Sequence, residues 1–273
     1  MTDQLREAII RALNYVQRAG VEVDSAIWDG IKAPLRDNRE PGRKRKMKFE
    51  RKLELLMRRI FGKQAAQVEQ HLGTVKAISD YLDWFDIDPE DESDLVMLFT
   101  LAAQDGVNLF GERIGVGFDK NLTNKQAAAW AKKYTPQFIK EINKTTAEAI
   151  SKAVATFTET PGMTIGMVME MLPFGEERAL TIAVTEITRA YAESNQLAGV
   201  ELAKEYPDVQ VVKTWFTNND DLVCPICGPL DGKTVPIDSG WGENGQEDEE
   251  GILQPPAHVN CRCWTDYSTD IRG

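Results

Sequence analysis

The chain holds 273 residues, of which 42% are hydrophobic and 27% charged; this excludes collagen-like, mucin-like and wholly disordered classes and leaves room for two domains. Its 43 acidic residues against 32 basic ones give a net charge of -11, which argues against a general nucleic-acid coat, because phosphate contacts need an excess of Lys and Arg. No run reaches the roughly 18 to 20 apolar residues that cross a bilayer, and residues 1–7 lack the basic-then-apolar order of a signal peptide, so the expectation is a protein of a cytoplasm, or of something assembled there, with no membrane partner.

Helical periodicity runs from residue 1 to about 205. Leu5, Ile9, Ile10, Leu13 and Val16 recur on one helix face, with Gly20 as a stop, and a second segment runs from about Asp24 to Pro34. Residues 36–59 carry eleven basic side chains against four acidic ones. Residues 36–46 read as an exposed basic loop; from Lys48 onward, Phe49, Leu53, Leu56 and Ile60 form the apolar stripe of an amphipathic helix. Arg36, Arg39, Arg43, Lys44, Arg45, Lys46 and Lys48 are thus candidates for contact with DNA or an acidic protein face, and a merely solvated surface is the plainer reading.

Eight acidic residues between Asp80 and Asp94, with Pro89 among them, predict a loop and a candidate hinge. A helix follows over residues 94–110 and breaks in the glycine-bearing stretch 111–117, whose spacing matches neither a dinucleotide fingerprint nor a Walker loop. Thr123 and Gln126 fit a capping box for a helix through Trp130, Pro136 is expected to begin the next helix, and that one runs to about Phe157. After a turn at Pro161 and Gly162, Thr164 caps a short helix with Ile165, Val168, Met169 and Leu172 inward, and Met163, Met167 and Met169 as gap-fillers. Residues 176–205 read as one long helix closed by Pro207. Its inner stripe is Ala179, Ile182, Ala183, Glu186, Ile187, Ala190, Leu197 and Val200, and Glu186 is expected to pair with Arg189.

Beyond Pro207 the period changes to that of strands: Val209 to Thr217, Thr234 to Ile237, and Cys261 to Tyr267. All four cysteines (Cys224, Cys227, Cys261, Cys263) lie here with His258, one of only two histidines. A two-residue gap separates Cys224 from Cys227 and His258 from Cys261, the spacing that turns paired donors toward one ion, and the ligand softness suits Zn2+. The expected ligands are Cys224, Cys227 and His258 with one of Cys261 and Cys263; a disulfide or redox pair is the alternative. Such a closed site is structural, since four protein ligands leave no place for water and the other histidine, His71, sits far off on an amphipathic helix. The fold expected is mainly α: a multi-helix body (1–120, with basic segment 36–52, and 121–207, ending in the long helix) followed by a small α+β module (208–273) of short antiparallel strands stapled by a zinc knuckle.

The stretches VTEITRAYAESN (184–195), KTWFTNNDDLVCPICGPLDGKTVPID (213–238) and PPAHVNCRC (255–263) resemble the C-terminal module of the phage Mu F-like minor head proteins, the phage head morphogenesis family. The resemblance spans residues 180–268. In that family an Arg often precedes the Thr-Glu pair, where this chain has Val184. The resemblance implies a noncatalytic minor capsid protein of the virion, present in few copies near the portal or the capsid interior, with the portal, major capsid or scaffolding protein and packaged DNA as partners. The competing expectation is a zinc-containing nucleic-acid-processing enzyme, a nuclease or toxin fragment, drawing on Asp220, Asp221 and Glu186. A DNA-reading finger is disfavoured because Lys233 and Arg262 are the only cations near the cluster.

Overall fold

A computed structural model describes residues 40–71, 87–115, 117–218, 220, 222–242, 247–248 and 251–271. The helices expected over 5–20 and 24–34, the cations Arg36 and Arg39, Asp221, the acidic residues 80–86 and most of the acidic insert after Gly242 lie outside them. Helix α1 (Arg43–His71) starts where a basic loop was expected. Gly42, at φ 71°, turns the chain, and its carbonyl accepts from the amides of Arg45 and Lys46. The cations then turn inward, since Lys46 is 2% exposed and reaches Glu40 at 2.6 Å, while Arg43 grips the buried Glu50 with both guanidinium nitrogens, one at 2.8 Å. Arg45 bonds Glu112 at 2.9 Å and Asp105 at 3.2 Å. Only Lys44 and Lys48 of the described candidates stand exposed, and the stripe of Phe49, Leu53, Leu56 and Ile60 packs into the main core as its spacing required.

Helix α2 (Pro89–Ile114) takes up the end of the stretch expected as a loop: Pro89 opens the helix, where its missing N–H costs nothing, and Glu90, Asp91 and Glu92 occupy the first turn, where the helix dipole favours acids. These acids answer the cations of α1, Arg59 with Asp91 and Asp94 (2.5 and 2.6 Å) and Lys63 with Asp88 and Asp91 (2.6 and 2.7 Å). Helix α2 runs through Gly111 and ends on Gly115, in the left-handed conformation.

Helix α3 (Lys120–Glu159) is capped by Asp119, whose carboxylate accepts from the Leu122 amide at 2.9 Å; Thr123, expected to be the cap, bonds instead to the Asp119 carbonyl at 2.9 Å. It also runs unbroken through Pro136. The proline withholds one amide, and the packing of Ala127, Ala131 and Phe138 on one side with Ala147 and Ile150 on the other keeps the helix whole. Helix α4 (Ile165–Glu170) is capped by Thr164 as expected, and Val168, Met163 and Met169 join a cluster with Val68 and Ile150, whereas Met167 is exposed.

Helix α5 (Glu176–Glu205) has the expected bounds. Its first half completes the main core through Ala179, Ile182, Ala183, Ile187 and Ala190, against Leu53, Phe61 and Phe99. Further along, Ala198 and Leu202 take the buried positions expected of Leu197 and Val200, and pack on Val211, Ile237 and Tyr267. Helices α2 and α5 meet closely at Gly106, where an added Cβ would lie 2.1 Å from the Ser194 hydroxyl oxygen. Gly106→Ala is therefore expected to destabilise the helical body by about 1–3 kcal/mol through overpacking, a loss measurable as a lower denaturant midpoint and partly recovered in Gly106→Ala/Ser194→Gly.

Strand β1 (Val209–Phe216) is the centre of an antiparallel sheet, with β2 (Thr234–Pro236) on one side and β5 (Trp264–Ile271) on the other. A second pair joins β3 (Gly240–Trp241) to β4 (Glu247–Asp248). The last strand begins at Trp264, later than the expected Cys261, because the chain turns at Asn260 (φ 61°) before it becomes extended. Among the described residues no helix is long and apolar enough to cross a membrane.

Candidate metal centre

The cysteines gather where the loop after β1 meets the segment before β5. Two triads share Cys227: Cys224, Cys227 and His258, then Cys227, Cys261 and Cys263, each with its donor atoms within 4.8 Å of one another. Cys224 Sγ lies 3.0 Å and Cys227 Sγ 3.4 Å from His258 Nε2, and Cys227 and Cys261 Sγ are 3.8 Å apart. Two thiolates at about 2.3 Å from one tetrahedral ion stand roughly 3.8 Å apart, so the donor set fits a metal.

The Cys227 amide donates to Cys224 Sγ at 3.3 Å, and a 3-10 turn over Gly228–Leu230 follows directly. His258 Nδ1 is 2.8 Å from the Val259 carbonyl; it must donate there, which leaves the Nε2 lone pair toward the sulfurs. Burial opposes ionisation of Cys224, but the amides of Cys227 and Ile226 outweigh it and hold the thiol below its ordinary range. The Cys227 thiol donates toward Cys261, which holds Cys261 well below the usual thiol value and Cys227 well above it. A metal in this cluster would be held by thiolates and imidazole, donors that give a stable cross-link between the two loops.

The surroundings brace both loops. Asp220 takes the Arg262 guanidinium through both oxygens (2.8 and 2.9 Å), and the Asp231 carboxylate accepts from the Thr217 amide at 2.6 Å. Thr185, on α5, accepts from the Asn260 amide at 2.7 Å, so the threonine of the Thr-Glu motif holds the turn between His258 and Cys261. The neighbouring Glu186 pairs with Arg189 at 3.1 Å, as expected, and also accepts from the Tyr134 hydroxyl; burial, with the Glu186 charge second, pushes that phenol well up.

Sequence reasoning missed Lys213. It is fully buried, donates to the Leu253 carbonyl at 2.8 Å, and lies 5.1 Å from the centre of the Trp241 ring, which meets Trp215 edge to face. The signal was there: Val211, Lys213 and Trp215 share the inward period of β1. Burial lowers Lys213 to about 8 from 10.5. The unfolded chain then binds the extra proton between those values, so stability carries a penalty below pH 8 that is relieved as pH rises toward 10.5. Thermal melts of the protein and of Lys213→Met from pH 7 to 10.5 are expected to show a relative gain with pH for the parent only.

Comparison with known families matches residues 126–265 to Phage Mu protein F like protein, a span that holds most of α3, all of α4 and α5, and the complete Cys/His cluster. No curated protein and no solved structure matches the chain. With more than half of its residues covered, the chain belongs to the Phage Mu protein F like family.

Proposed function

We propose that this chain is a noncatalytic minor head protein of a phage virion, placed near the portal or the inner capsid surface, that acts in head morphogenesis and in packaging or ejection of DNA. Cys224, Cys227 and His258, with Cys261 or Cys263, hold a structural Zn2+ in this reading, and the portal, major capsid or scaffolding protein is the docking partner. The observation that carries it is the family match, which takes in both the helix bearing Thr185 and Glu186 and every residue of the metal cluster.

The nuclease reading has to find its groups elsewhere among the described residues. Both nitrogens of His258 are engaged, Asp220 is held by Arg262, and Glu186 by Tyr134 and Arg189. Divalent-metal-dependent cleavage of supercoiled DNA by the purified protein would restore it. Mass spectrometry of gradient-purified phage particles and proheads tests the head reading directly. The chain is expected in both at a small ratio to the major capsid protein; absence from both would overturn the assignment.

A further inference from the structure

The positive charge of this acidic chain is distributed unevenly. On α1 the cations are largely consumed by carboxylates of α1 and α2. Helix α3 differs: it carries seven lysines against three glutamates, a net of +4, and residues 120–140 hold five lysines and no acidic residue. Lys125, Lys132, Lys133, Lys140 and Lys144 are all exposed, and none makes an ion pair or hydrogen bond with a described residue. At 100° per residue, these five fall within an arc of about 120°, away from Ala127, Ala131 and Phe138, which face the core. Nineteen residues at 1.5 Å give a row roughly 28 Å long. By contrast residues 208–273 carry 12 acidic and 4 basic side chains, a net of -8.

We propose that this lysine face of α3 is a contact surface for the phosphate backbone of duplex DNA. The face is built for a polyanion without sequence preference, because lysine is a flexible point charge and α3 has no arginine to make the bidentate contacts that read a guanine. A protein partner fits it less well, since protein interfaces are depleted in lysine and favour arginine and aromatic residues. The acidic C-terminal module is repelled by the same phosphates, which leaves the contact to the helical body. That DNA is the polyanion at hand rests on the head-protein reading; the surface itself rests on the charge pattern.

The test uses the full chain and short labelled duplexes of two unrelated sequences, titrated by fluorescence anisotropy at several salt concentrations. Both sequences are expected to bind alike, with affinity that falls steeply with salt. Replacing the five lysines with Gln, which keeps helix propensity, should weaken low-salt binding by about tenfold or more and flatten the slope of log K against log salt by about 0.9 per contacting lysine. Lys152→Gln/Lys204→Gln, both exposed and outside this face, should change neither, and circular dichroism should show every variant folded. Equal binding and slope in the five-lysine variant would overturn the proposal. So would a parent that fails to bind DNA at low salt while the five-lysine variant fails to enter heads, the mark of an acidic protein partner. Absence of the parent from particles would sink the head reading alone, because the titration does not depend on it.

Discussion

Cys227→Ser is expected to strip the metal from the C-terminal module and unfold it at neutral pH, leaving the helical body with its own thermal transition. Cys227 belongs to both donor triads, so neither Cys261 nor Cys263 can compensate for its loss. The module has little else to hold its loops: the cluster around the cysteines adds Trp215, Leu230, Val235 and Trp241, with Ile252 and Ala257 against it. A structural zinc contributes on the order of 10 kcal/mol in small finger peptides, more than such a core supplies. The first half of α5 is anchored in a separate cluster with Leu53, Phe61 and Phe99, which is why the body should survive. Calorimetry paired with metal analysis decides it. The parent should carry one zinc and lose its module transition on chelation; a single transition unchanged in Cys227→Ser would remove the structural role. Cys261→Ser and Cys263→Ser, measured alike, identify the fourth ligand as whichever costs the metal.

Glu50→Ala is expected to destabilise the helical body by about 3–5 kcal/mol, the usual cost of leaving a buried charge without its partner. Glu50 is 2% exposed and holds Arg43, whose side chain is itself 10% exposed. Removing the carboxylate strands the guanidinium beside Glu40 alone, at 3.5 Å. Replacing both members with apolar residues, as in Arg43→Met/Glu50→Leu, should recover most of the loss, because the ion pair carries a desolvation cost that an apolar pair does not. Urea midpoints of the three variants separate these outcomes, and a loss below about 1 kcal/mol for Glu50→Ala would mean that Arg43 finds water instead.

These ion pairs also mark the limit of what the chain reveals as a string. The run of cations in residues 36–59 announces a basic surface, but its partners lie at Glu40 and Glu50 and across α2 at Asp91 and Asp94, and only folding joins them. The acidic stretch around Pro89 shows the complementary effect: it reads as a loop in isolation, yet from Pro89 on it is a helix start facing α1. The bounds of helix α5 were legible to the residue, whereas past Ala190 its buried face moves to Ala198, Gly199 and Leu202, where the sheet and not the helix period decides it. In α3 the signal of Pro136 was overruled by packing along the helix, and Thr123 lost the cap to Asp119. The gathering of Cys224, Cys227, His258, Cys261 and Cys263 was legible from spacing; the partners of Thr185 and Lys213 were not, since they are backbone groups 75 and 40 residues away.

The register of β1 with β5 sets how the module meets mechanical load. Val209 pairs with Ile271 at one end and Phe216 with Trp264 at the other, and the cysteine cluster lies beyond the second end. A pull between α5 and the far end of β5 enters at Val209 and Ile271 together, so the hydrogen bonds break in succession from that end, as in a zipper, at low force. With a metal bound in that cluster, the opening would stop at the loops it joins. The module would then be a compliant segment with a fixed maximum extension.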